Sequence, residues 1–313
     1  VNDGIFNFEK LGEITEILVN NLNKVIDINY YPVPETKLSN DRHRPIGIGV
    51  QGLADVFALM KMPFDSIEAL ELNKQIFETI YYYACVASHK LAVNYGTYQK
   101  YNGCPLSQGQ FQFDLWGIEP SSNYDWESLR QNIKNDGVRN SLLIALMPTA
   151  STSQILGNNE CIEPFTSNIY LRRVLAGEFI VVNKYLLRDL KNLGLWNKDM
   201  KTTIIYYKGS IQEIDEIPSS IRNLYKTTWD LKQKVIVDQA ADRGPYVCQT
   251  QSMNIHMPHP TRKDVQNLHF YSWKRGLKTG LYYLRTKGGK DAQQVTIDPK
   301  FQEKLRKKKE MQE

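Results

Sequence analysis

Cysteine and histidine are scarce in this chain of 313 residues, which has four of the first and five of the second. Cys85, Cys104, Cys161 and Cys248 are widely scattered and none forms a CxxC pair, which argues against a zinc ribbon or a thioredoxin-type site. A disulfide scaffold is equally unsuited to this length and spacing, so the expected compartment is a reducing cytoplasm. His256 and His259 stand close together, but Met257, Pro258 and Pro260 break any helix that would align them, and no metal is expected. Long apolar runs are missing too. The longest aliphatic run, Leu142 to Met147, falls far short of the ~20 residues of a membrane helix. Val1-Asn2-Asp3-Gly4 lacks the basic-then-apolar pattern of a secretory leader, and there is no internal repeat or clear linker.

What is present fits a globular protein, with 42% hydrophobic and 23% charged residues. The net charge of +5 is unevenly placed. From Arg262 to Lys290 eight basic residues face a single acid, Asp264, and the last fourteen residues add six basic and three acidic ones. The remainder is net acidic. Such a stretch is either a solvated face or a surface for an acidic partner.

Leu11, Ile14, Leu18, Leu22 and Val25 recur at helical spacing, predicting an amphipathic helix from about Phe8 to Ile28. Tyr30 to Pro45 reads as irregular because of its prolines and short polar residues. Further helices are expected near Gly52 to Met60, Ile67 to Val93, Trp126 to Asn135, Ile180 to Leu193, across most of Ile217 to Asp242, and from Lys263 to Gly276. Ser141 to Met147 suits a buried strand, although periodicity alone does not separate it from a helix, and Gly280 to Arg285 reads as a strand. Helices alternating with short buried strands imply an α/β barrel or open sheet.

Three motifs carry chemistry. Gly47, Gly49 and Gly52 spell G-x-G-x-x-G, but no hydrophobic strand precedes them, so close backbone packing is their expected use. Thr149-Ala150-Ser151-Thr152 follows the predicted strand and opens a predicted helix. Small side chains there let an anion approach free backbone N–H groups, and the hydroxyls add donors. A plain helix cap is the alternative use. The polar segment Gly157 to Pro164 reads as a cavity wall, with Cys161 within it. Tyr282 and Tyr283 are adjacent in a strand-like run. An ideal strand would send them to opposite faces, so contact between them needs a kink, which Gly280 would permit. Close phenols can relay an electron and a proton; packing in a core strand is the alternative.

These residues resemble a known family. RPIGIGVQGLAD at 44–55, MPTASTSQ at 147–154, GNNE at 157–160, RRV at 172–174 and GLYYLRT at 280–286 are similar to the large (α) subunit of class I ribonucleotide reductase, eukaryotic type, in order from about Phe8 to Thr286. The resemblance implies the C-terminal half of a ten-stranded α/β barrel with helices predominating, spanning 1–286, and a polar, flexible tail at 287–313. It implies reduction of ribonucleoside diphosphates by thiyl-radical chemistry. Thr149, Ala150, Ser151 and Thr152 would bind the substrate diphosphate, and Tyr282 and Tyr283 would carry radical character from a metal-containing small subunit. That subunit docks through an acidic tail, for which Lys274, Arg275 and Lys278 would be the surface. The catalytic cysteines and the sites for ATP and deoxynucleotide effectors would precede Val1, so the fragment alone is expected to be inactive and to bind no cofactor directly. Partners would be the substrate, the small subunit and a second large subunit, with no membrane and no nucleic acid. Two other readings are an interaction module that only captures the acidic tail, and a cobalamin-dependent reductase of the same barrel type, against which the paired tyrosines argue.

Overall fold

The computed structural model describes residues 1–175, 177–287 and 303. The expected polar tail, apart from Lys287 and Glu303, therefore lies outside the described residues, as does Lys290 of the basic stretch. Helices dominate. In chain order the elements are α1 (Phe8–Ile28), α2 (Pro34–His43), α3 (Leu53–Leu59), α4 (Ile67–Tyr95), α5 (Gln112–Leu115), α6 (Trp126–Asp136), α7 (Thr152–Leu156), β1 (Ile169–Val174), β2 (Gly177–Val182), α8 (Lys184–Asn192), α9 (Lys198–Tyr206), α10 (Ser219–Leu224), α11 (Gln233–Arg243), β3 (Asn254–His256), α12 (Arg262–Lys274) and β4 (Tyr283–Arg285). None of the described helices is long and apolar enough to cross a membrane.

Apart from β1 and β2, which pair antiparallel with each other, the short extended segments are joined in parallel as one set, the barrel segments. Ile48 bridges Ile144, Leu146 bridges Gln251, and β3 pairs with β4, all in parallel. Four consecutive extended segments, around residues 46–48, 142–146, 249–256 and 283–285, thus lie side by side, with helices filling each return. That is the arrangement parallel pairing demands, because a parallel neighbour is reached only by a crossover. The segment predicted as a strand at Ser141 to Met147 is the second of them, with Leu143, Ile144 and Leu146 enclosed. The glycines of the first segment meet it closely. A Cβ on Gly49 would lie 2.7 Å from the Ala145 carbonyl oxygen, and one on Gly47 would lie 3.3 Å from the Ala145 Cβ. Close packing of backbone is therefore what these glycines do.

α1 has the predicted limits but turns a different face inward. Gly12, Thr15, Val19, Asn23 and Ile26 are buried against α4, whereas Ile14, Leu18 and Val25 are exposed. Two polar demands set that face. The Tyr83 ring occupies the space a side chain at position 12 would fill, and Asn23 must reach Asn140, to which its Nδ2 donates at 3.0 Å.

Three expectations are corrected. The stretch expected to be irregular contains α2, which has no apolar periodicity because none of its residues is buried. Pro34 is accommodated in its first turn, where no N–H is needed. The helix expected from Ile180 begins only at Lys184. Its first residues form β2 instead, paired antiparallel with β1, and Asn183 caps the helix by accepting from Tyr185 and Leu186 N–H. The long helix expected from Ile217 to Asp242 is split into α10 and α11 by a turn in which Asp230 Oδ2 accepts from the N–H and hydroxyl of Thr227, both at 2.7 Å.

A second apolar cluster, built from α8, α9, α10 and the start of β1, packs on Ala58 of α3. Asp189 pins it there. Its carboxylate accepts from Lys61 Nζ at 2.6 Å and from the Tyr225 hydroxyl at 2.7 Å. Between this cluster and the barrel segments opens a wide cleft.

Candidate active-site cleft

The cleft holds about 670 Å³ and takes its walls from both clusters. The polar loop 157–164 supplies Gly157, Asn158, Asn159, Glu160, Glu163 and Pro164, in agreement with its reading as a cavity wall. The third motif glycine and α3 hold this loop in place. Gly52 N–H donates to Asn159 O at 3.0 Å, with Gly52 at φ +81, and Asp55 Oδ2 accepts from Asn159 N–H at 2.7 Å. Asp55 Oδ1 accepts from the Tyr185 hydroxyl at 2.9 Å, so one carboxylate fastens both walls.

Thr149, Ala150, Ser151 and Thr152 lie beside the cleft; Ser153 and Gln154, the next residues, enter its lining. Thr149 is in the left-handed region at φ +55. Its Oγ1 accepts from Cys161 N–H at 2.8 Å and its carbonyl accepts from Ser153 N–H and hydroxyl, so Thr149 shapes the loop. Ala150, Ser151 and Thr152 are exposed, and no acceptor among the described residues takes their backbone N–H groups. Cys161 does not line the wall as expected. It is fully enclosed behind it, and burial pushes its thiol up to about 12.

Arg285 and Thr286, of the strand that carries the tyrosine pair, also line the cleft. The ladder begins only at Tyr283. Tyr282 sits in a bend, its N–H donating to Met253 O at 2.7 Å, and this places the two rings 4.4 Å apart, tilted by 65°. The kink is thus at Tyr282 itself. Both rings are half exposed, and the neighbouring Tyr283 phenol raises the pKa of Tyr282. The Arg285 guanidinium lies over the Tyr283 ring, 4.8 Å from its centre, and so touches both the pair and the cleft.

The basic residues divide. Arg275 is paired with Asp238 at 3.1 Å and Asp242 at 3.0 Å. Lys278 Nζ donates to the carbonyls of Val247, Cys248 and Gln249 at 2.9, 2.7 and 3.2 Å. Both are spent within the fold, which leaves Lys274 of the three expected docking residues facing solvent. Sequence reasoning missed the apolar surface next to it. Gln266, His269, Phe270 and Trp273 border an open groove of about 480 Å³ on α12, with Phe270 and Trp273 exposed. Their spacing of three and four residues could have shown that face.

Also unforeseen are Asn254, Arg172 and Trp229 in the cleft. No group of three or more His, Cys, Asp or Glu side chains among the described residues could hold a metal ion. His256 is buried, its Nδ1 3.1 Å from the Thr228 hydroxyl, and burial lowers its pKa to about 4, so it is neutral.

Residues 1–283 match the family model described as the ribonucleotide reductase barrel domain, and the chain belongs to that family. Among relatives, it is 59% identical over 293 residues to the ribonucleoside-diphosphate reductase large subunit of Danio rerio, and equally so to that of Arabidopsis thaliana. Identity to the large chain of Schizosaccharomyces pombe is 54% over 299 residues. These alignments take in 94–96% of this chain and only 36–37% of the relatives' length. The fold also matches the class Id ribonucleotide reductase alpha subunit of Actinobacillus ureae with a TM-score of 0.69 at 25% identity, covering 88% of this chain and 46% of that one.

Proposed function

We propose that the chain supplies the substrate-phosphate loop and the tyrosine relay of a ribonucleoside-diphosphate reductase. The observation that carries this reading is the tyrosine pair, with rings 4.4 Å apart, on the strand whose Arg285 and Thr286 line the same cleft as Ser153 and Gln154, the residues next to the 149–152 loop. A phenol near pKa 10 must release its proton when oxidised, and two touching phenols can pass electron and proton on together. Beside the cleft the free N–H groups of Ala150, Ser151 and Thr152 would receive the diphosphate of the substrate, with the hydroxyls of Ser151 and Thr152 as further donors.

The radical would come from a metal-containing small subunit in the cytoplasm, and the catalytic thiols and effector sites from the part of the large subunit beyond this chain, which would form at least a dimer. For the small subunit, the exposed Phe270 and Trp273 beside Lys274 offer an apolar groove with a cation at its edge, suited to an acidic tail with apolar side chains. Mixing this chain with the complementary part of a relative's large subunit and a small subunit should restore reduction. Tyr283→Phe should abolish it, because phenylalanine cannot be oxidised at accessible potentials, while leaving the fold intact. Full turnover in that variant would remove the relay.

A further inference from the structure

Glu163 is 6% exposed, and its Oε1 accepts both the N–H and the side-chain Nδ2–H of Asn254, at 3.0 and 3.1 Å. Its other oxygen, Oε2, is buried without a donor, and so is Oδ1 of Asn254. Both residues line the cleft. A carboxyl and a carboxamide are planar groups of the same shape. With Nδ2–H on Oε1 already bonded, the one further bond the two groups could share would join Oε2 to Oδ1. As two acceptors they would each stay unsatisfied, which buried polar groups seldom do. One hydrogen placed between them would satisfy both.

We propose that Glu163 is held as the neutral acid, donating Oε2–H to Asn254 Oδ1, and that this acid–amide clamp fixes β3, and through it Tyr283, to the cleft wall. Asn254 stands directly opposite Tyr283 in the parallel ladder, so a shift of Asn254 is a shift of the relay strand. The surroundings support the neutral form. Burial pushes the Glu163 carboxyl up to about 7, against the pull of the Asn254 N–H and of Arg243 from α11. Arg243 is engaged elsewhere, its Nε on Gln251 and its Nη1 on Asn73. On the same loop Glu160 pushes in the upward direction and the Cys161 thiol is uncharged. From β3 the neutral His256 adds no charge, and Arg285 of β4 acts on Glu160 and His256.

Because the folded-state pKa is raised above the ordinary 4.5, the native state binds the proton more tightly than the unfolded chain. The clamp's contribution is complete below about 4.5 and is lost as pH rises through about 7. The consequence for Tyr283 rests on the relay reading above; the protonation itself does not. The test is infrared spectroscopy of the full chain near pH ~6, where ordinary carboxyls are ionised. A carbonyl band of a protonated acid is expected that survives Glu160→Gln and disappears in Glu163→Gln. Between pH 4.5 and about 7 the folding equilibrium constant of the native chain should fall on the order of a hundredfold relative to that of Glu163→Gln, whose Nε2–H donates to Asn254 Oδ1 at every pH, the titration of buried His256 being common to both. Absence of an acid band in Glu160→Gln overturns the proposal, and this arm holds even if Glu163→Gln does not fold. In the reconstituted reductase, turnover should decline through the same pH range and Glu163→Gln should remove that decline. A band that titrates while the two turnover profiles coincide would overturn the positioning role. Loss of all turnover without change in the band would count against the relay reading alone.

Discussion

Asn140 and Glu163 are both enclosed polar residues lying next to a barrel segment, and they are partnered in opposite ways. Asn140 uses its whole hydrogen-bonding capacity. Its Oδ1 accepts from Asn23 Nδ2 and the Ser88 hydroxyl, and its Nδ2 donates to Asn23 Oδ1 and the Arg44 carbonyl, at 2.9–3.1 Å. The cluster ties α1 and α4 to the start of two barrel segments. Glu163 leaves an oxygen unmet, and its partner Asn254 leaves another. A satisfied buried cluster fixes a geometry and has no further chemistry to offer. An unsatisfied one, on a cleft wall, has a place for a proton.

The largest effect that would test this contrast is at Asn140. Asn140→Ala strands the Arg44 carbonyl and the Ser88 O–H and leaves Asn23 Oδ1 only its 3.4 Å bond from Arg44 Nη2, and at about 1–3 kcal/mol for each group the loss should reach about 3 kcal/mol, with little dependence on pH. Denaturant unfolding measures it. A loss below about 1 kcal/mol would mean that water replaces the asparagine readily and that the cluster is no brace. Glu163→Gln should behave in the opposite manner, its cost relative to the native chain falling as pH rises.

Close backbone approach comes next. Gly49→Ala drives a Cβ to 2.7 Å from the Ala145 carbonyl oxygen, which belongs to the adjoining barrel segment and cannot swing aside. Overpacking of this kind costs about 1–3 kcal/mol. Gly47→Ala meets a side-chain Cβ at 3.3 Å and should cost clearly less. Equal losses at the two positions would show that the segments slide rather than resist.

Much of this was legible in the sequence where a single element carries its own signal. α4 and α6 announce themselves by apolar spacing and by Ser66 and Asp125 as caps. The cleft wall at 157–164 shows as a cluster of polar residues too dense for a core. α2 gave no such signal because it buries nothing, and β2 was hidden because Phe179, Ile180, Val181 and Val182 suit either a helix or a strand. The buried face of α1 was misjudged for a related reason. Thr15 can be buried because its hydroxyl donates to the Leu11 carbonyl one turn back, and Asn23 is inward because of Asn140, far along the chain. The Glu163–Asn254 pair, 91 residues apart, is invisible for the same cause. Its meaning lies in which atoms lack partners, and that needs three dimensions.

The smallest effects separate charge that builds the fold from charge that is free to bind. Lys278 and Lys274 are four residues apart in the same basic stretch, yet the first gives its three hydrogens to the carbonyls of residues 247–249, and burial lowers its pKa. Those carbonyls follow the α11 turn and lead into the third barrel segment, so Lys278→Ala should lower stability by about 1 kcal/mol. Lys274→Ala should stay within about 0.5 kcal/mol, as expected for an exposed side chain. Binding should rank the other way. An acidic peptide ending in apolar residues, titrated by fluorescence anisotropy, should lose affinity to the chain in Lys274→Ala and in Trp273→Ala, with the lysine's share fading as salt is raised. If Lys278→Ala weakens that binding more than Lys274→Ala does, the groove on α12 is not where the peptide lies, and the carbonyl-bound lysine must leave its partners to reach it.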